Sequence, residues 1–144
     1  MIGTHIPDYR RAANVYCRRQ EVTMDVNFGD IFYADLGNNV GSEQGGVRPV
    51  VCVQCRALNE TSPTVVVIPI TSKAKPTLLT HAYIPKGTGG LIHDSCVMAE
   101  QIRTIDKSRL KKYVGVMPTY YIGVIIRCTH FLLRDKQRKH RVRK

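Results

Sequence analysis

Residues 64–71 read TVVVIPIT, and every side chain but Pro69 is β-branched. Branching at Cβ restricts χ1 and penalises a helix, but it packs well on a pleated surface. A nearly continuous apolar run also lacks the alternation of a half-solvated strand, so this segment should lie at the centre of a core. Pro69 removes one ladder donor, which predicts an edge or bulge near the strand's end. Around this strand the chain shows further short β signals. Residues 31–36 alternate, with Phe32, Ala34 and Leu36 on one side and Tyr33 on the other. Residues 49–53 are β-rich, and short strands are expected around 80–84 and 96–105. The segment 118–134 places Ile122, Ile125, Thr129 and Leu132 at helical spacing, with Pro118 suited to the first turn. The composite is mainly β with a C-terminal helix, a small and strongly curved barrel-type structure.

A chain of 144 residues fits one domain with one core. No stretch approaches the ~18 consecutive apolar residues of a membrane span. The first twenty residues lack the apolar centre of a secretory signal. Residues 1–24 carry scattered arginines and no period, ending at a second methionine, Met24. They are expected to be a loosely ordered extension, followed by a folded domain at 25–134 and a basic tail at 135–144. The formal net charge is +11, and the last eleven residues hold seven of the 22 Lys and Arg but one of the 11 Asp and Glu. Such a tail attracts polyanions through phosphate contacts and counterion release, without choosing a sequence or supplying chemistry. Five cysteines, an odd number, favour free thiols in a reducing cytoplasm. Cys52 and Cys55 have C-x-x-C spacing but lie in an apolar run with no second pair. They are read as packing residues rather than metal or redox groups.

Three polar segments interrupt this pattern. The first is residues 37–46, GNNVGSEQGG, with four glycines in ten positions. It fits neither the Walker nor the dinucleotide glycine pattern, but it presents Ser42, Glu43 and Gln44 and leads to Arg48. An arginine between Val47 and Pro49, at the mouth of a hydrophobic strand, needs an anionic partner or a wet pocket. A phosphate would satisfy its planar fork of donors. The second is Thr71, Ser72 and Lys73, where hydroxyls at a strand end either bond backbone or serve a site. The third is residues 100–106, EQIRTID, whose polar side chains alternate with Ile102 and Ile105. His81 and His93 are possible acid–base groups at neutral pH, and His130 reads as a helix residue. No metal-protease, serine-hydrolase or clustered carboxylate motif is present.

In this order, residues 29–36 (GDIFYADL), 41–50 (GSEQGGVRPV), 70–72 (ITS), Thr80 and His81, Asp94 and Ser95, and 100–106 (EQIRTID) resemble the motifs of the MazF/PemK toxins over about residues 28–115. The resemblance implies an SH3-like β-barrel of the MazF/PemK/CcdB type that forms a homodimer. It also implies a cytoplasmic mRNA interferase that cuts single-stranded RNA without metal or other cofactor, the toxin half of a type II toxin–antitoxin pair. A cognate antitoxin would lay a flexible acidic segment across the RNA groove, and the pair together would bind DNA. Cleavage would proceed by attack of the ribose 2′-hydroxyl on its own phosphodiester, giving a 2′,3′-cyclic phosphate and a 5′-hydroxyl. That reaction needs stabilisation of a highly charged phosphorane and proton transfer at two oxygens.

By position, Arg48 and Thr71 match the family's catalytic arginine and threonine, and Glu43 a residue proposed as base. Ser42, Gln44, His81 and Gln101 match positions that hold the RNA strand or its bases. Single-stranded bases offer their edges to such side chains. Two departures stand out: Leu79 replaces the proline usual before Thr-His, and the tail after Arg134 is unusually basic. Other readings from different classes are a CcdB-like topoisomerase poison and a β-barrel that binds RNA without cutting it. The first lacks its Trp-Gly-Ile ending here, since the chain contains no tryptophan.

Overall fold

The computed structural model describes residues 24–73 and 76–135. Apart from Met24 and Asp135, the expected N-terminal extension and basic tail lie outside the described residues. Seven strands run in chain order: β1 (Asp30–Asp35), β2 (Val47–Cys52), β3 (Thr64–Thr71), β4 (His81–Ile84), β5 (Ser95–Met98), β6 (Arg103–Asp106) and β7 (Leu110–Val116). A single helical turn, α1 (Arg56–Asn59), precedes β3, and α2 (Thr119–Leu133) follows β7. Among the described residues no helix is long and apolar enough to cross a membrane.

The β-branched run is β3, and it organises the sheet. All pairings are antiparallel, in the order β4-β5-β3-β2-β1-β7. Along one edge β3 meets β2, with Val51 opposite Ile68. Along its other edge it changes partner: Thr64 to Val67 pair with β6, and Ile70 and Thr71 with β5. Pro69 sits at that change, so the donor it lacks coincides with the break between two ladders. Both faces of β3 are covered. Ile68 and Ile70 pack with Ile31, Ile84, Val97 and Ile125, while Val65 and Val67 join Phe32, Ala34, Leu36 and Ile105 on the other side. The helix α2 closes the first of these clusters with Ile125 and Cys128.

Several sequence expectations change in detail. The 96–105 stretch is two strands, split by a 3₁₀ turn at Ala99–Gln101. β7 and α1 were not anticipated. β7 buries Leu110 alone, so it carries no apolar period, and α1 is too short to show one. Pro118 lies one residue before α2, at its N-cap, where its carbonyl accepts from Ile122 N at 3.1 Å. The C-x-x-C pair is divided: Cys52 is fully buried, its thiol pushed up to about 12 by burial and then by Asp30, whereas Cys55 is exposed.

The two ends of the strand order, β4 and β7, are not hydrogen-bonded to each other, and the barrel-like sheet is completed by contact. The 3₁₀ turn Thr88–Gly90, between β4 and β5, presses on β7. A Cβ on Gly115 would lie 2.3 Å from the Gly89 carbonyl oxygen, and one on Gly90 would lie 2.5 Å from that of Val114. Glycine is required here by space, and at Gly89 and Gly90 also by φ of +60° and +85°. Gly115→Ala should therefore destabilise the protein by about 1–3 kcal/mol through overpacking. Gly123→Ala, in α2 with nothing nearer than 3.8 Å, should be neutral or stabilising by up to about 1 kcal/mol. Urea unfolding midpoints of the two variants test the contrast.

Candidate active site

The end of β3, the start of β2 and the segment 90–95 enclose a cleft of about 270 Å³. Arg48 and Thr71 both line it, together with Tyr33, Lys73, His93 and Ser95. Strand register makes this convergence. Arg48 is the second residue of β2, opposite Ala34 of β1, and Thr71 is the last residue of β3, opposite Cys96 of β5.

Arg48 is held by neutral oxygens. Its Nε donates to the Gly45 carbonyl at 2.9 Å, and its Nη1 donates to Gln44 Oε1. The loop supplying these acceptors is itself clamped by the 3₁₀ turn Ala99–Gln101 and by β6. Gln44 N donates to Gln101 Oε1 at 3.2 Å, Gln101 Nε2 donates to the Ser42 carbonyl at 3.4 Å, and Arg103 Nη2 donates to the Gln44 carbonyl at 2.8 Å. Among the described residues the ion pairs are Arg56 with Glu60 and His81 with Glu100, so no carboxylate neutralises Arg48 or Arg103. Partial burial, and then the charge of Arg103, lower the pKa of Arg48. Two guanidinium groups held against one loop by neutral acceptors make a site for an anion.

Thr71 is buried, and its Oγ1 accepts from Lys73 N at 3.2 Å. That bond fixes the oxygen and leaves the hydroxyl proton to donate into the cleft. Of the sequence alternatives for this hydroxyl, the backbone bond is present, and the residue also lines the cleft. Ser42, Gln44 and Gln101 are brought together with Arg48 by the clamp. Glu43 is exposed on the same loop, its N donating to the Val40 carbonyl at 3.1 Å, and it is not among the residues lining the cleft.

His81 lies elsewhere. Its Nδ1 accepts from Thr77 N at 3.2 Å and its Nε2 meets Glu100 Oε1 at 2.6 Å, with the side chain 8% exposed. With Nδ1 accepting, the proton of the neutral ring sits on Nε2 and is donated to Glu100. Thr80 Oγ1 donates to the other Glu100 oxygen at 2.8 Å. This group braces the 3₁₀ turn that carries Gln101. Tyr33 and Ser95 were not anticipated as cleft residues. Tyr33 was legible only as the outward residue of an alternating strand. Ser95 had one signal, its place beside Asp94 among the segments that resemble the family's motifs. Among the described residues no three or more His, Cys, Asp or Glu side chains come together as a metal cluster would.

Residues 27–129 match the sequence profile of the PemK-like, MazF-like toxin of type II toxin–antitoxin systems. The chain belongs to this family. Among curated relatives it is 49% identical over 85 residues to an endoribonuclease MazF of Staphylococcus saprophyticus subsp. saprophyticus, covering 58% of this chain and 71% of that protein. It is 50% identical over 88 residues to the endoribonuclease EndoA of Bacillus subtilis, covering 60% and 76%. Its fold is similar to a crystal structure of MazF from Deinococcus radiodurans, with TM-score 0.67 and 23% identity over 76% of this chain and 97% of that one. It is also similar to an endoribonuclease in complex with its cognate antitoxin from a mycobacterial species, with TM-score 0.64 and 23% identity over 75% and 94%. The expected mainly-β, barrel-like architecture with a C-terminal helix is thus the fold of these proteins.

The Glu100 cluster generates a stability prediction. Burial alone would push this carboxyl up, but hydrogen bonds from Thr80, its own backbone N–H and His81 outweigh burial and hold it below its ordinary 4.5. A depressed folded-state pKa contributes stability that is present above the unfolded value and lost as pH falls through the folded one. Urea midpoints of the wild type should therefore fall as pH drops below about 4.5, and Glu100→Gln should lower the neutral-pH midpoint while making this acid limb shallower.

Proposed function

We propose that this protein is a sequence-selective endoribonuclease, the toxin half of a type II toxin–antitoxin pair, and that it cuts single-stranded RNA without a metal. The observation that carries this reading is the shared cleft of Arg48 and Thr71, with no carboxylate among the described residues paired to the guanidinium. The endoribonuclease names of the curated relatives support it.

The reaction is attack of the ribose 2′-hydroxyl on the adjacent phosphorus, leaving a 2′,3′-cyclic phosphate and a 5′-hydroxyl. Negative charge builds on the non-bridging phosphate oxygens as the fifth bond forms. Arg48, already oriented by Gln44 and Gly45, meets that charge without reorganising, and Thr71 donates a second hydrogen bond. A guanidinium does not release its proton under these conditions, so its role is electrostatic. Glu43, on the adjoining loop, accepts the 2′-hydroxyl proton. Ser42, Gln44 and Gln101 hold the strand and read base edges. His81, occupied by Glu100, acts from behind by positioning the turn that bears Gln101.

The catalytic unit is residues 25–134, active as a homodimer, with residues 1–24 an extension and 135–144 a tail that adds nonspecific RNA affinity. The antitoxin partner presents an acidic, flexible segment to the cleft, where Arg48 and Lys73 offer complementary charge, with Arg103 behind the adjoining loop. An endoribonuclease of similar fold from a mycobacterial species, solved in complex with its cognate antitoxin, supports an antitoxin partner.

Arg48→Ala and Thr71→Ala should each remain folded but lower cleavage about 100- to 1,000-fold, since one transition-state donor typically contributes ~2.7–4 kcal/mol. Purified protein in EDTA should give fragments with cyclic phosphate and 5′-hydroxyl ends. Undiminished cutting by both variants would refute the site.

A further inference from the structure

We propose that His93 is the general acid of this cleft, delivering its imidazolium proton to the departing 5′-oxygen of the RNA. The inference rests on the endoribonuclease reading and adds the group that reading lacks. The reaction moves two protons. As the O2′–P bond forms, the 2′-hydroxyl proton passes to the Glu43 carboxylate. As the P–O5′ bond breaks, the leaving oxygen takes a proton from His93. Glu43 and His93 then exchange protons with water and return to their starting states, so atoms and charge balance.

The choice of His93 follows from what the cleft contains. The proton-bearing side chains lining it include Tyr33, Arg48, Lys73 and His93. Among these classes, imidazole is the one whose charge changes between about pH 5 and 8, the range in which a general acid works best at neutral pH. An ionised carboxylate has no proton to give, and a guanidinium does not release its own.

Geometry separates His93 from the other described histidines. Both ring nitrogens of His81 are occupied, and His130 lies in the last turn of α2. The His93 ring is exposed and makes no hydrogen bond or ion pair among the described residues, while its backbone is fixed. Ser95 Oγ donates to the His93 carbonyl at 2.8 Å, and Lys86 N donates to Asp94 Oδ1 at 2.8 Å. A few residues upstream, Gly89 and Gly90 lock the segment against β7. The segment thus forms a wall of the cleft of which Arg48 and Thr71 form another part, and it presents an unengaged imidazole on a held backbone.

The test compares ordinary RNA with the same RNA carrying sulfur in place of the bridging 5′-oxygen. A thiolate departs without protonation, so it bypasses a general acid. His93→Gln should cut ordinary RNA about 100- to 10,000-fold more slowly, lose the alkaline fall of the wild-type kcat/KM profile, and cut the sulfur substrate within a few-fold of wild type. Arg48→Ala should lose both substrates alike. Wild-type rates for His93→Gln on ordinary RNA, or an equal loss on both substrates, overturn the acid role while leaving the nuclease reading intact. A wild-type protein that cuts neither substrate overturns both.

Discussion

The change of partner along β3 is the constraint from which the site follows. One strand lies beside β2 over its second half and beside β6 and then β5 on its other edge. Its first half therefore belongs to the layer containing β6, and its end to the layer containing β4 and β5. Such a strand must be covered on both faces, which β-branched side chains do at small entropic cost. Thr71 is where this buried strand reaches the surface. The hydroxyl is thus attached to a strand buried on both faces, beside the cleft that Arg48 of β2 also lines.

Two polar clusters show opposite ways of handling charge. Around Glu100, every strong group has a partner: Thr80 and His81 satisfy the carboxylate, and Thr77 satisfies the second histidine nitrogen. Around Arg48, the acceptors are an amide side chain and a backbone carbonyl, and the charge that acts on it is another guanidinium, that of Arg103. The first arrangement is self-contained and supports structure. The second keeps its geometry but leaves its electrostatic demand to be met by something outside the chain. Gln101 and Arg103 connect the two, since they follow Glu100 directly and grip the Gln44 loop.

The β3 core and α2 were legible in the sequence because burial on both faces and helical spacing each leave a period or a run. β7 was not, because an edge strand with one buried residue imposes no pattern on its neighbours. The glycine loop, Arg48 and Thr71 could be picked out as polar groups at the mouths of apolar strands. Their convergence could not, since it depends on the β2–β3 register and on the turn that carries Gln101. Apart from the family resemblance, which gave a position to His81 alone, His81 and His93 looked alike in the sequence. The structure separates their surroundings, through Thr77 and Glu100 around one ring and the openness of the other. Family resemblance added roles by position, which burial patterns do not contain.

The seam between the Thr88–Gly90 turn and β7 is made of close backbone contact, with no ladder bonds across it among the described residues. Contacts of this kind disappear over a fraction of an ångström, whereas a hydrogen-bonded ladder yields one rung at a time. The wall bearing His93 is therefore held against β7 by packing alone, a junction that is tight while closed and has no rungs to lose singly. Local opening there would widen the cleft while β3 and its neighbours stay folded. Warming would then silence the chemistry before it melts the protein, and amide exchange at residues 88–93 would report the loss ahead of any change in the core.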